Sequence, residues 1–128
     1  MADKLKLSEE STERLNYLSS NLRLRRNTLC RIALGLSLSL DDPPDVTPTD
    51  QNGAEFNRPT IMGTDDSTFL AMSSQQAGEE VDPENFFNIT VKSHIIRGVE
   101  LLFKTYEKIN SPFEFFQMLC NGGKEFYR

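Results

Sequence analysis

Apolar residues crowd one stretch of this chain. From Leu29 to Leu40 they occupy positions 29, 30, 32, 33, 34, 36, 38 and 40. At about 100° per residue these positions run around most of a helix. The exception is a narrow stripe of Arg31, Gly35 and Ser39, spaced i, i+4, i+8. A helix apolar nearly all round must be buried on several sides. One chain can do that by wrapping the helix, or two chains can bury it between them. The second arrangement makes Leu29, Ile32, Leu34, Gly35, Leu36 and Leu38 candidate oligomer contacts.

Upstream, Lys4-Leu5-Lys6-Leu7 alternates polar and apolar, which predicts a short strand with both lysines on one face. A lone strand needs a partner, and the same strand of a second chain is one candidate. Ser8 reads as a helix N-cap followed by Glu9, Glu10 and Glu13, where the helix dipole favours negative charge. Leu15, Leu18 and Leu22 complete an amphipathic helix over 9–20, ended by Ser19-Ser20-Asn21. Asn27 or Thr28 can cap the apolar helix, which Asp41-Asp42-Pro43-Pro44 stops.

Residues 41–66 read as a loop. Glu55 to Gly63 form an extended piece within it, docked through Phe56 and Ile61. Asp65 or Asp66 caps a helix of about 67–77 that carries Phe69, Leu70 and Met72 on one side and ends at Gly78. Val91, Ile95, Val99, Leu102, Tyr106 and Ile109 then mark one face of a helix from about Phe87 to Ile109. Gly98 in its middle costs about 1 kcal/mol relative to alanine, which points to close packing against another element. Ser111-Pro112-Phe113-Glu114 starts a last helix with a cap, a first-position proline and a capping-box glutamate. Asn121-Gly122-Gly123 ends it, and Lys124 to Arg128 is a tail.

The expected class is therefore mainly α, in a single domain over 1–128. A ribbon-helix-helix-like segment spans 1–40, a loop 41–66 and a helical part 67–121. A ribbon-helix-helix module would pair strands and interlock helices between two chains. An ordinary helical hairpin fits the same residues.

Composition leaves this class in place and narrows the chemistry. The net charge of −5 argues against nucleic acid, but its distribution does not. Residues 1–40 hold seven Lys/Arg against four Asp/Glu, residues 41–88 one against eleven, and residues 89–128 six against four. One face can carry a positive field on such an acidic molecule. No apolar run is long enough to span a membrane, and the N-terminus has no secretory-type apolar core. Two isolated cysteines and one histidine form neither a disulfide framework nor a zinc site, so a reducing cytoplasm and no metal or cofactor are expected.

Enzyme motifs are lacking: there is no glycine-rich phosphate loop and no nucleophile elbow. Cys30 with His94 is a conceivable nucleophile pair, against the plainer reading of Cys30 as a buried apolar residue. His94 with Arg97 is a phosphate contact or a structural pair. The carboxylates of 41–50 and 79–84 are a cation site or a solvated loop. The basic cluster is the most informative candidate. Arg23, Arg25, Arg26 and Arg31 lie within nine residues, with Lys4, Lys6 and Arg14 upstream. Arginine's planar fork suits phosphate, and a helix N-terminus adds free N–H groups. The alternatives to DNA binding are a charged inter-helix loop and a protein adaptor docking through the acidic 41–88 segment; within DNA binding, the alternative is a sequence-specific repressor of the ribbon-helix-helix type reading bases with Lys4 and Lys6.

Three blocks together resemble the DndE family of DNA sulfur modification proteins. They are Arg26-Asn27-Thr28-Leu29-Cys30-Arg31-Ile32-Ala33 running into Ser37-Leu38, then Glu55-Phe56-Asn57-Arg58-Pro59-Thr60, then His94-Ile95-Ile96-Arg97-Gly98. Their spacing and the chain length fit, so the resemblance spans nearly the whole chain. It implies a small, mostly helical bacterial protein with a ribbon-helix-helix-like N-terminal part. It implies a non-enzymatic partner of the other Dnd proteins, whose machinery replaces a non-bridging phosphate oxygen of DNA with sulfur. It also implies a homotetramer that binds double-stranded DNA, preferring nicked duplex, through a lysine-rich assembly surface. This chain departs from that pattern by placing arginines between its first two helices.

Overall fold

Ser8 starts the first helix as its residue type dictates. Its hydroxyl oxygen accepts the Ser11 N–H at 3.1 Å, and Asp50, from the loop after the second helix, accepts the Glu9 N–H at 2.9 Å. The computed structural model describes residues 3–46 and 48–121. Over these the order is β1 (Lys4–Lys6), α1 (Glu9–Leu22), α2 (Arg26–Leu38), β2 (Glu55–Asn57), α3 (Arg58–Met62) and α4 (Asp66–Ala77). A π-helical turn (Phe86–Val91) then leads into α5 (Lys92–Ile109), and α6 (Pro112–Cys120) follows. The expected glycine stop at 122–123 and the tail to Arg128 lie outside the described residues.

The expected strand forms, but its partner lies in the same chain. β1 pairs antiparallel with β2, with Lys4 opposite Asn57, Leu5 opposite Phe56 and Lys6 opposite Glu55. Leu7 N–H to Ala54 C=O and Gly53 N–H to Leu7 C=O, both 2.9 Å, extend the ladder. Gly53 is required there. A Cβ would run into Thr12 Oγ1 and the Ser8 carbonyl oxygen, with the Leu7 carbonyl oxygen at 2.7 Å. The alternation puts Leu5 and Phe56 on the core face and leaves Lys4 and Lys6 exposed on the other.

α2 is the buried centre that its composition predicts, and one chain suffices to bury it. α5 lies along it, with α1, α3 and α4 on its other sides. Leu29, Cys30, Ala33 and Leu34 are fully buried, as are Ile95, Val99 and Leu102 of α5. This corrects part of the oligomer reading. Leu29 and Leu34 belong to the chain's own core, and Leu36 and Leu38 are nearly as deep at 8% exposure. Of the six candidates, Ile32 and Gly35 keep substantial surface. Gly98 sits where α5 crosses α2. A Cβ there would collide with the Ala33 carbonyl oxygen and lie 2.6 Å from Ala33 Cα, so the expected close packing has α2 as its partner.

The long helix begins differently from expectation. Its first turn is π-helical, with Thr90 N–H reaching back to Asn85 C=O at 3.4 Å. The wider turn admits the sequence neighbours Phe86 and Phe87 to the core together, and both are fully buried. The guanidinium of Arg58 lies 5.9 and 5.8 Å from their ring centres and bonds Asp66 Oδ1 at 3.1 Å. The extended piece expected over 55–63 is a strand only to Asn57. Pro59 is the second residue of α3, early in a helix where its missing N–H is no loss. Phe56 and Ile61 dock as expected. Met72 of α4 does not, being 42% exposed. α6 starts on Ser111, whose hydroxyl oxygen accepts the Glu114 N–H at 3.3 Å.

Candidate nucleic-acid interface

The corner between α1 and α2 carries three arginines in four residues, Arg23-Leu24-Arg25-Arg26. Arg23 closes α1 in the left-handed conformation, at φ 57°. Arg25 occupies the N-cap of α2 and Arg26 its first turn. Leu24, partly buried against the core, anchors the corner, and its carbonyl oxygen accepts the Ser19 hydroxyl. No side chain caps α2 and no acidic residue stands in its first turn. The first backbone hydrogen bond of α2 is Leu29 N–H to Arg25 C=O, at 3.1 Å. The N–H groups before it face outward among arginines, an arrangement that suits an anion. Arg23, Arg25 and Arg26 are all exposed, and none makes an ion pair among the described residues. Arg26 is steadied by Asn16 Oδ1 at 3.3 Å and by the Phe56 ring, 5.8 Å away.

The other predicted cations are placed elsewhere or occupied. Arg31 donates to the Thr60 carbonyl oxygen at 2.7 Å, tying α2 to α3. Arg14 pairs with Glu10 at 2.7 Å and lies over the Phe103 ring. Lys4 and Lys6 leave the opposite face of the ribbon from Phe56, and so from the Arg26 side of the molecule. There they line a cleft of about 240 Å3 with Lys92 of α5, Gln51, Glu55 and Asn88. Sequence reading missed Lys92, since only the fold brings it beside Lys4 and Lys6. The seven candidates thus divide into an arginine corner, a lysine cleft and two structurally engaged arginines.

His94 and Arg97 form a structural network. Arg97 directs Nε at Ser37 Oγ (2.8 Å), Nη2 at the Ser37 carbonyl oxygen (2.8 Å) and Nη1 at the Asp42 carbonyl oxygen (2.9 Å). A cation on the last carbonyls of α2 also complements the helix dipole. Gln76 of α4 donates to the Ser37 and Leu40 carbonyl oxygens, both at 2.9 Å. Because Arg97 Nε–H can only donate, Ser37 Oγ accepts from it. Ser37 Oγ also lies 2.7 Å from His94 Nδ1, and which of the two donates depends on the imidazole tautomer. Burial, and secondarily the Arg97 charge, push the His94 pKa down to about 4 from 6.5.

A pH dependence follows. An unfolded chain protonates His94 near pH 6.5 while the folded chain resists until about 4, so stability rises with pH across that window and falls as pH drops through it. Between pH 7 and 5.5, before carboxylates titrate, the folded state should lose about 1 kcal/mol. Urea midpoints at the two pH values measure it, and His94→Gln should flatten the difference.

Cys30 is fully buried, and burial pushes its thiol up to about 12 against a smaller opposing pull from Arg26, so it stays protonated and unreactive at neutral pH. Asp50 is held below the usual carboxylate range by the backbone N–H groups of Glu9 and Asn52, which make it a loop anchor. Among the described residues no three His, Cys, Asp or Glu side chains gather as a metal site, and no helix is long and apolar enough to cross a membrane.

Comparison with known proteins adds a direct signal. The family model for DndE, DNA sulphur modification protein DndE, matches residues 4–110. Among solved structures, the fold is similar to the crystal structure of DndE from Escherichia coli B7A, described as involved in DNA phosphorothioation modification. The two share 13% sequence identity at a TM-score of 0.62, over 77% of this chain and 96% of that one. No curated protein sequence matches.

Proposed function

Since the chain belongs to the DndE family of DNA sulphur modification proteins, we propose that it is a non-enzymatic, DNA-binding subunit of the phosphorothioation system. The duplex, in this reading, is held at the arginine corner. The observation that carries it is electrostatic. Arg25 and Arg26 stand at the positive end of the α2 dipole, without an acidic neighbour in the first turn. Cations there oppose the dipole by about 0.3–1 kcal/mol each. An arrangement that disfavours the free fold is relieved when a phosphate enters between the guanidinium groups and the free N–H groups.

The same reading has copies of the chain assemble, as a homotetramer by family resemblance, so that several corners face one duplex. Ile32 and Gly35 are the remaining candidates for that contact. The surface over Gly35 is bare, since a Cβ there would meet nothing within 4 Å. The other Dnd proteins are its expected partners, and nicked duplex its preferred form of DNA.

A salt titration tests the function. Fluorescence anisotropy on intact, nicked and single-stranded DNA should give a steep fall of affinity from ~0.05 to ~0.2 M salt, about 10³-fold if six phosphates are engaged. Absence of duplex binding at the low end would leave a protein adaptor as the surviving function. Size measurement alongside it tests assembly, which a stable monomer would refute.

A further inference from the structure

The lysine cleft is not alone on its face. A second hollow, of about 380 Å3, adjoins it, and Gln51, Asn88 and Lys92 line both. The first hollow is polar, with Lys4, Lys6 and Lys92. The second is apolar along Val46, Pro48, Ile89 and Ile96. Ile89, on the π-helical turn, is 38% exposed and Val46 is 62% exposed, so two large apolar side chains stand in water here.

We propose that this double cleft takes one unstacked nucleotide of single-stranded DNA, its phosphate among Lys4, Lys6 and Lys92 and its base over Ile89 and Ile96. The charge balance favours one phosphodiester. Glu55 lines the cleft across the ladder from Lys6, and Asp50 acts on Lys92. Three ammonium groups against these two carboxylates leave a single positive charge, which one phosphodiester neutralises and a run of duplex backbone would exceed. A base supplies a flat apolar face for Ile89 and Ile96. Lys92 is partly withdrawn from water, which lowers its pKa, and a bound phosphate would restore favour to its charged form. Single-strand grooves are cationic, and pockets for unstacked bases sandwich them between aromatic or apolar side chains.

The inference rests on the DNA reading but concerns a surface separate from the arginine corner, so the two are tested apart. The probes are single-stranded (dA)6, inorganic phosphate, an acidic-apolar hexapeptide and an intact duplex, each titrated into the full chain by calorimetry. Lys92→Ala and Ile89→Ser should each weaken (dA)6 by about tenfold. Inorganic phosphate should weaken in Lys92→Ala alone. Duplex binding should be unchanged in Ile89→Ser, and both variants should still unfold cooperatively, Ile89→Ser at a somewhat lower temperature because part of its side chain is covered. Unchanged (dA)6 affinity in both variants overturns the cleft while leaving duplex binding at the corner intact. A peptide that binds more tightly than (dA)6, and loses affinity in Ile89→Ser, overturns it in favour of a protein partner. Cleft-dependent (dA)6 binding without any duplex binding would uphold the cleft and overturn the corner.

Discussion

Replacing Gly98 by alanine should cost on the order of 3 kcal/mol of folding stability, at the upper end of what overpacking costs. On an isolated helix the same change would gain about 1 kcal/mol, because alanine is the better helix former. The packing decides the sign. A Cβ at Gly98 meets the carbonyl oxygen, carbonyl carbon and Cα of Ala33, with Cα at 2.6 Å. All three belong to the backbone of α2, so no side chain can rotate aside. The helices must separate, and the separation loosens what depends on their approach. That includes the packing of Ile95, Val99 and Leu102 on Leu29 and Leu34, and the bonds from His94 and Arg97 to Ser37. Urea denaturation of wild type and Gly98→Ala measures the loss. Gly35→Ala is the control on α2's own surface, where a Cβ meets nothing. A stability for Gly98→Ala equal to or above wild type would mean that α5 does not cross α2 at Ala33.

Gly98 also illustrates what could be read from the chain and what could not. Its position in a long apolar face already demanded a close neighbour, but no local pattern names Ala33. α1 and α6 were legible because caps and apolar spacing are local: Ser8 and Ser111 both bond the N–H three residues on. β1 was legible by alternation. Glu55-Phe56-Asn57 was legible as extended chain, but a single apolar residue in three shows no period and names no partner. With its pairing to β1 unseen, a second copy of β1 was the available mate. The apolarity of α2 likewise invited a second chain, because nothing in its own residues says that α1, α3, α4 and α5 surround it. The π-helical turn was hidden for a different reason: one widened turn shifts the apolar rhythm by a single residue at its start, leaving the rhythm from Val91 onward intact. For the site, Arg23, Arg25 and Arg26 were found together because they are neighbours in sequence. Lys92 was not, because its link to Lys4 and Lys6 exists through the packing of the π-helical turn on β1.

The combined variant Arg23→Gly, Arg25→Ala, Arg26→Ala should lose about 10²–10³-fold in duplex affinity at ~0.1 M salt, and its salt slope should fall by about 3. Folding should survive the change. Arg23 sits at φ 57°, a conformation that costs a side-chain-bearing residue about 1–2 kcal/mol and glycine little. Arg25 has no partner among the described residues, and its removal takes a cation from the positive end of α2. Arg26 alone gives up contacts, a 3.3 Å bond to exposed Asn16 and its place over Phe56, worth about 1 kcal/mol together. The net stability change should therefore lie within about 1 kcal/mol of zero, with binding lost. That pairing separates the functional reading from a structural one. Arginines kept for the fold would take stability with them when removed, whereas arginines kept for phosphate take affinity and salt dependence. Anisotropy across a salt series and urea midpoints on the same preparations give both quantities. Wild-type affinity and slope in the variant would move the duplex away from this corner. A large stability loss would mean that the strain at Arg23 and the opposed dipole at α2 are compensated within the folded chain.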